Sequence, residues 1–147
     1  MDIYYARAGE LDAILEIERE SFTDPWSREA MEYALEDTNG GILVAAEDGQ
    51  VRGFAVFHCA YEESELYNLA VSPRFRGRGA GRELLEAVLT ETRRRGAEKI
   101  FLEVRESNAA ARGLYQSAGF GVIGVRKAYY ERPKEDAIIM ELELLER

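Results

Sequence analysis

Leu11, Ile14, Leu15 and Ile17, with Phe22 beyond them, recur at helical spacing and predict a helix over residues 10–21. Asp24-Pro25 breaks that period. Ser27 then stands where an N-cap belongs, with Ala30 at N3 and Met31, Ala34 and Leu35 on the apolar face of a second helix. Gly40-Gly41 is read as the end of that helix. A short strand is expected over 2–7. Residues 42–47, the Asp48-Gly49 turn and residues 51–60 read as a hairpin, and 66–71 as a further apolar strand closed by Pro73.

The longest helical pattern covers 80–95. Leu84, Leu85, Val88 and Leu89 form its stripe, and Arg93-Arg94-Arg95-Gly96 supplies a basic last turn and a glycine stop. A strand over 100–104, a helix over 108–117, and strands over 121–130 and 136–144 complete the chain. The predicted order is β-α-α-β-β-β-α-β-α-β-β. That order implies an α/β domain with a mixed sheet over residues 1–147, and excludes a regularly alternating doubly wound one.

Composition narrows the chemistry. The 147 residues are 46% hydrophobic and 32% charged, ordinary values for one globular domain. No window approaches the roughly 18 apolar residues of a membrane span, and Met1-Asp2-Ile3-Tyr4-Tyr5 lacks the layout of a secretory signal. A cytoplasmic protein, monomeric or weakly dimeric and without a membrane partner, is expected. Cys59 and His58 are the only residues of their kinds. Ser-His-Asp hydrolysis would have only His58 to draw on and is not expected, and neither is a disulfide or a Cys-based or His-rich metal site. The net charge of -9 disfavours nucleic acid as a partner and suits basic peptides or polyamines.

One stretch carries a distinct signal. Asn68-Leu69-Ala70-Val71-Ser72-Pro73 is followed by Arg76-Gly77-Arg78-Gly79-Ala80-Gly81 and then by the 80–95 helix. Glycines tolerate positive φ and leave amides uncovered. A helix start adds unsatisfied N–H groups and a positive dipole end, so the turn reads as an anion cradle suited to a pyrophosphate. Arg76, Arg78 and Arg82 are expected to add charged donors around it. No Gly-Lys-Ser/Thr follows, which excludes a Walker turn, and the spacing does not fit a dinucleotide fingerprint.

Arg76-x-x-Gly79-x-Gly81 after this strand resembles the acetyl-CoA motif of the Gcn5-related N-acetyltransferases (GNAT), and the element order is that family's as well. The resemblance implies that the amides of Gly77, Arg78, Gly79, Ala80, Gly81 and Arg82 hold the CoA pyrophosphate. It also implies that Leu69, Ala70 and Val71 lie along the pantetheine arm, where free amides can polarise the thioester carbonyl. Acetyl-CoA is then a cosubstrate and no metal is involved. The segment from Leu102-Glu103-Val104 through Asn108 and Ala111 to Leu114-Tyr115 and Gly119-Phe120 is similar to the second half of the same signature. By that match Glu103 is the base, direct or through water, Tyr115 the acid for the leaving thiolate, and Asn108 a pantetheine contact. From chemistry alone Asn108 is equally an N-cap, Tyr115 a packing residue, and Cys59 small core filler.

Three further stretches resemble the RimI-type branch, whose members acetylate the N-terminal alanine of a small-subunit ribosomal protein. They are Ser21-Phe22-Thr23-Asp24-Pro25-Trp26-Ser27, Leu102-Glu103-Val104-Arg105, and Tyr129-Tyr130 with Glu135-Asp136-Ala137-Ile138-Ile139-Met140. The resemblance implies that Trp26, Tyr129 and Tyr130 flank the substrate entrance. An α-amine, with a pKa of about 7.7–8.0 against about 10.4 for lysine, asks roughly 3–4 kcal/mol less of the site at neutral pH. The 131–135 turn is shorter than that branch often carries. An archaeal-type N-terminal acetyltransferase, an enzyme for a small amine or lysine side chain, and a CoA-binding sensor without turnover stay open.

Overall fold

A computed structural model describes residues 1–145. Seven strands form one sheet in the order β1-β2-β3-β4-β5-β7-β6. They are β1 (Asp2–Tyr5), β2 (Gly40–Glu47), β3 (Gln50–Ala60), β4 (Glu63–Val71), β5 (Lys99–Arg105), β6 (Gly121–Glu131) and β7 (Lys134–Glu143). Four α-helices accompany them: α1 (Leu11–Ser21), α2 (Arg28–Glu36), α3 (Ala80–Arg94) and α4 (Ala109–Ser117). Every pairing is antiparallel except β4 with β5, which the α3 crossover joins in parallel. The expected element order holds.

Strand alternation divides the interior in two. Ile42, Val44, Phe54, Val56 and Ala70 point to one face and pack against α1 and α2 through Ile14, Leu15, Ile17 and Met31. Leu43, Ala45, Ala55, Phe57 and Leu66 point to the other and meet α3 through Leu84, Leu85, Val88 and Leu89. All four α3 residues are buried. At roughly 1.5–3 kcal/mol each, that stripe contributes about 6–12 kcal/mol before the entropy of ordering is subtracted. It fixes where α3 begins.

The local signals hold, apart from the end of α2 and an earlier start to β4. Ser27 caps α2, its hydroxyl accepting from the Ala30 amide at 3.1 Å, and Glu47 pairs with Gln50 across the Asp48-Gly49 turn. Gly40-Gly41, however, does not end α2. The helix stops at Asp37, whose carboxylate accepts from the Asn39 amide at 2.9 Å. Both glycines belong to β2. A Cβ on Gly40 would lie 2.1 Å from the Phe57 carbonyl oxygen, so close strand approach explains the residue.

Two irregularities shape the sheet where chemistry is expected. Val56 pairs with Asn68 while Phe57 pairs with Leu66, which leaves Tyr67 as the extra residue of a bulge in β4. The parallel β4–β5 register runs from Glu63↔Lys99 to Leu66↔Leu102 and goes no further among the described residues. Beyond it the strands part, leaving the β4 edge from Tyr67 to Val71 open on the β5 side.

Candidate active site

The Gly-rich turn adopts the expected conformation. Gly77 and Gly79 have φ of 79° and 88°, and Gly79 is the N-cap of α3. Ala80 is buried beneath the turn. The first-turn amides of α3 lack helical partners and open beside the unpaired β4 edge. Gly81 ties the pieces together, since a Cβ there would touch Leu114 at 3.5 Å and Leu69 at 3.8 Å. Turn, strand and α4 thus meet at one place, with a geometry that fits a pyrophosphate followed by an extended arm.

The arginines are used differently from the expectation. Arg76 Nε donates to the Val71 carbonyl at 3.0 Å, and Arg82 Nη2 donates to Ser117 Oγ at 2.8 Å. Arg78 lies over the Phe75 ring at 5.1 Å. These contacts hold the turn in shape. Asn108 caps α4, its Oδ1 accepting from the Ala111 amide at 3.1 Å, as its chemistry alone predicted.

Glu103 and Tyr115 sit on opposite faces of the sheet. Along β5, Ile100, Leu102 and Val104 enter the α3 core, so Glu103 and Arg105 face the other way. Tyr115 belongs to that α3 core and packs on Phe120 with ring centroids 5.7 Å apart. Burial, then the neighbouring Tyr130, raises its hydroxyl well above the usual tyrosine value. It therefore stays protonated, as a proton donor must.

Charged and phenolic groups cluster around Glu103. Arg126 Nε lies 3.3 Å from Glu103 Oε1. Glu65, on the neighbouring β4, has its carboxyl pushed up by burial and then by the Glu103 charge. Tyr129 is raised first by the Glu103 charge, and Tyr130 by burial and then by Glu103, to about 12. The two tyrosines meet edge to face at 5.1 Å. A register shift in β6 between Arg126 and Tyr130 turns them, with Ala128 at a φ of 52° and its amide donating to Asp136 at 2.8 Å.

The loop between α1 and α2 closes the site on a third side. Trp26 tilts against Tyr67 at 5.9 Å. Arg105 donates to Thr23 Oγ1 at 3.1 Å, to the Pro133 carbonyl at 2.9 Å and to Glu135 at 3.1 Å, and its guanidinium lies 4.3 Å over Tyr130. Arg132 adds an ion pair to Asp24 at 3.2 Å. An apolar groove of about 390 Å³ continues from Trp26 and Tyr67 toward His58 and Tyr33. A larger cleft of about 420 Å³, between α1, the β2–β3 turn and residues 72–75, includes neither Glu103 nor Tyr115.

Residues 11–120 match the family model described as the acetyltransferase (GNAT) family. The chain belongs to the GNAT family. The match spans the α1–α2 loop, the Gly-rich turn, β5 and α4. Among GNAT relatives, the [ribosomal protein bS18]-alanine N-acetyltransferase of Salmonella typhimurium is 38% identical over 135 residues, 90% of each chain. The crystal structure of the ribosomal-protein-S18-alanine N-acetyltransferase from Escherichia coli superposes with a TM-score of 0.91 at 34% identity, covering 99% of this chain and 95% of that one. A structure of yncA from Salmonella typhimurium with its cofactor acetyl-CoA has a TM-score of 0.86 at 26% identity, covering 100% and 95%. This GNAT protein is an acetyl-CoA-dependent acetyltransferase.

Glu65, Arg105 and Arg126, which lie beside Glu103 or the two tyrosines, are not among the residues that the sequence singles out. Period-two alternation carried the signal for the first two. Glu65 occupies a polar position at the start of β4, and Arg105 continues the outward face of Glu103. Arg126 could not be found that way, because the β6 register shift resets which residues face the site.

Proposed function

We propose that this enzyme acetylates the α-amine of a protein N-terminus, with the N-terminal alanine of a small-subunit ribosomal protein as its acceptor. The carrying observation is the three-sided entrance around Glu103. Trp26 and Tyr67 form one wall, Tyr129 and Tyr130 the second, and Glu65 with Glu103 the floor. An extended terminus fits between the walls with its ammonium toward the carboxylates. The names of the similar bacterial enzymes support the same acceptor, and ribosomes would make the cytoplasm its location.

Acetyl-CoA supplies the thioester, and the chain's own groups do the rest. Amides of Gly77, Arg78, Gly79, Ala80, Gly81 and Arg82 receive the pyrophosphate, and Leu69, Ala70 and Val71 line the arm. Glu103, directly or through a water, takes the proton of the ammonium, which needs little help at the pKa of an α-amine. An amide at Leu69 or Val71 faces the negative charge developing on the acetyl oxygen. Tyr115, protonated at neutral pH and kept so by its raised hydroxyl, gives its proton to the departing sulfur and regains one from the second proton that the nitrogen sheds as the amide forms. Asn108 supports the arm with the amide end its cap leaves free.

Turnover of an Ala-starting peptide, the same peptide blocked at its α-amine, free lysine and spermidine tests the acceptor. Reaction of the unblocked peptide alone is expected. Turnover confined to lysine or spermidine would reject it.

A further inference from the structure

Glu18 is a charged residue where an aliphatic one is expected. It lies on α1 beside Ile14, Leu15 and Ile17, only 1% exposed. Burying a carboxylate is costly unless its oxygens are satisfied. Each is. Oε2 accepts from the Trp26 backbone amide at 2.9 Å, across the α1–α2 loop. Oε1 accepts from Asn68 Nδ2 at 2.8 Å, a side chain itself buried in β4.

Those two donors flank the same pair of rings. Trp26 carries one ring, and Tyr67, next to Asn68 at the β4 bulge, carries the other at 5.9 Å. Glu18, Trp26, Tyr67 and Asn68 therefore form a closed circuit in which one carboxylate sets the spacing of two backbone segments. The carboxyl is raised by burial against the opposing pull of its two hydrogen bonds, so the position holds a group that packing alone would not select. We propose that Glu18 is a positioning residue that holds the Trp26–Tyr67 wall in place and thereby sets the acceptor entrance. This rests on the acceptor reading above, because that wall matters only if the acceptor passes it.

Trp26 is the only tryptophan, so its emission reports on the wall directly. In Glu18→Leu the Trp26 amide and Asn68 lose their acceptor. Trp26 emission in the free protein should shift to the red and be quenched more by acrylamide. The KM for an Ala-starting peptide should rise about tenfold, the scale of one lost hydrogen bond, with acetyl-CoA affinity unchanged. Glu18→Gln should restore both readouts. Its amide oxygen accepts from Trp26, and its NH2 donates to Asn68 Oδ1 once that side chain turns over.

Native emission and unchanged peptide KM in folded Glu18→Leu would overturn the proposal. So would an equal loss of acetyl-CoA affinity, or a Glu18→Gln variant as impaired as Glu18→Leu. Should Glu18→Leu not fold, Asn68→Ala decides by the same two readouts, which must both move, by less. If the wild type ignores the peptide, the acceptor reading fails on its own. The emission comparison then still decides whether Glu18 holds Trp26.

Discussion

Replacing Gly79 by alanine adds one methyl group at the N-cap of α3. No atom lies within 4 Å of the position its Cβ would take, so steric crowding contributes nothing. The perturbation is the backbone itself, because φ is 88°. Left-handed backbone costs an L-residue about 1–2 kcal/mol, equivalent to a melting point lower by roughly 3–8 °C in a domain of this size. Gly96 provides a matched control. Its φ is 87°, its Cβ position is equally open, and it lies at the far end of α3. Both alanine variants should lose similar stability in denaturant titrations without ligand. Only Gly79→Ala should weaken acetyl-CoA binding in calorimetry, by about tenfold or more, since one hydrogen bond to a charged group contributes about 1.5–3 kcal/mol. An unchanged acetyl-CoA affinity in Gly79→Ala would refute the assignment of this turn as the pyrophosphate cradle.

Tyr115→Phe keeps the ring against Phe120 and removes the proposed acid, so turnover should fall about 100-fold or more while CoA affinity stays within about twofold in calorimetry. The raised hydroxyl of Tyr115 also fixes the sign of a pH effect. Its protonated form persists above the ordinary tyrosine value, so the turnover number should show no alkaline fall up to about pH 10 in a steady-state profile. Arg105→Ala cuts the tie between Thr23 and the β6–β7 turn, and peptide KM should rise about tenfold in initial-rate assays with little change in acetyl-CoA KM.

Legibility in the sequence followed the range of the interactions involved. α1 and α3 were readable because their apolar stripes repeat every helical turn, and the Ser27 cap because its partner lies three residues away. The Gly-rich turn was readable because positive φ is written into glycine itself. Gly40 was misread because its reason is a strand brought alongside from residue 57. β4 begins at Glu63, earlier than the apolar run suggested, because its first residues alternate the exposed Glu63 and half-buried Glu65 with buried Ser64 and Leu66. Arg76 and Arg82 were expected to point at a phosphate, yet bond Val71 and Ser117, a choice fixed by tertiary contacts. Glu18 gave no signal, since a glutamate at the edge of an α1 stripe reads as solvent-facing until Trp26 and Asn68 are seen to cover it.

The central claim is that an α-amine, rather than any accessible amine, enters between the Trp26 and Tyr129 walls. A peptide beginning with alanine and carrying one internal lysine presents both amines on one molecule. Tandem mass spectrometry after partial reaction with acetyl-CoA locates the acetyl group by residue. The account predicts the label on the N-terminal alanine, with the lysine unmodified while the α-amine is being consumed. Acetyl-lysine forming as fast as, or before, the acetyl-alanine would contradict it.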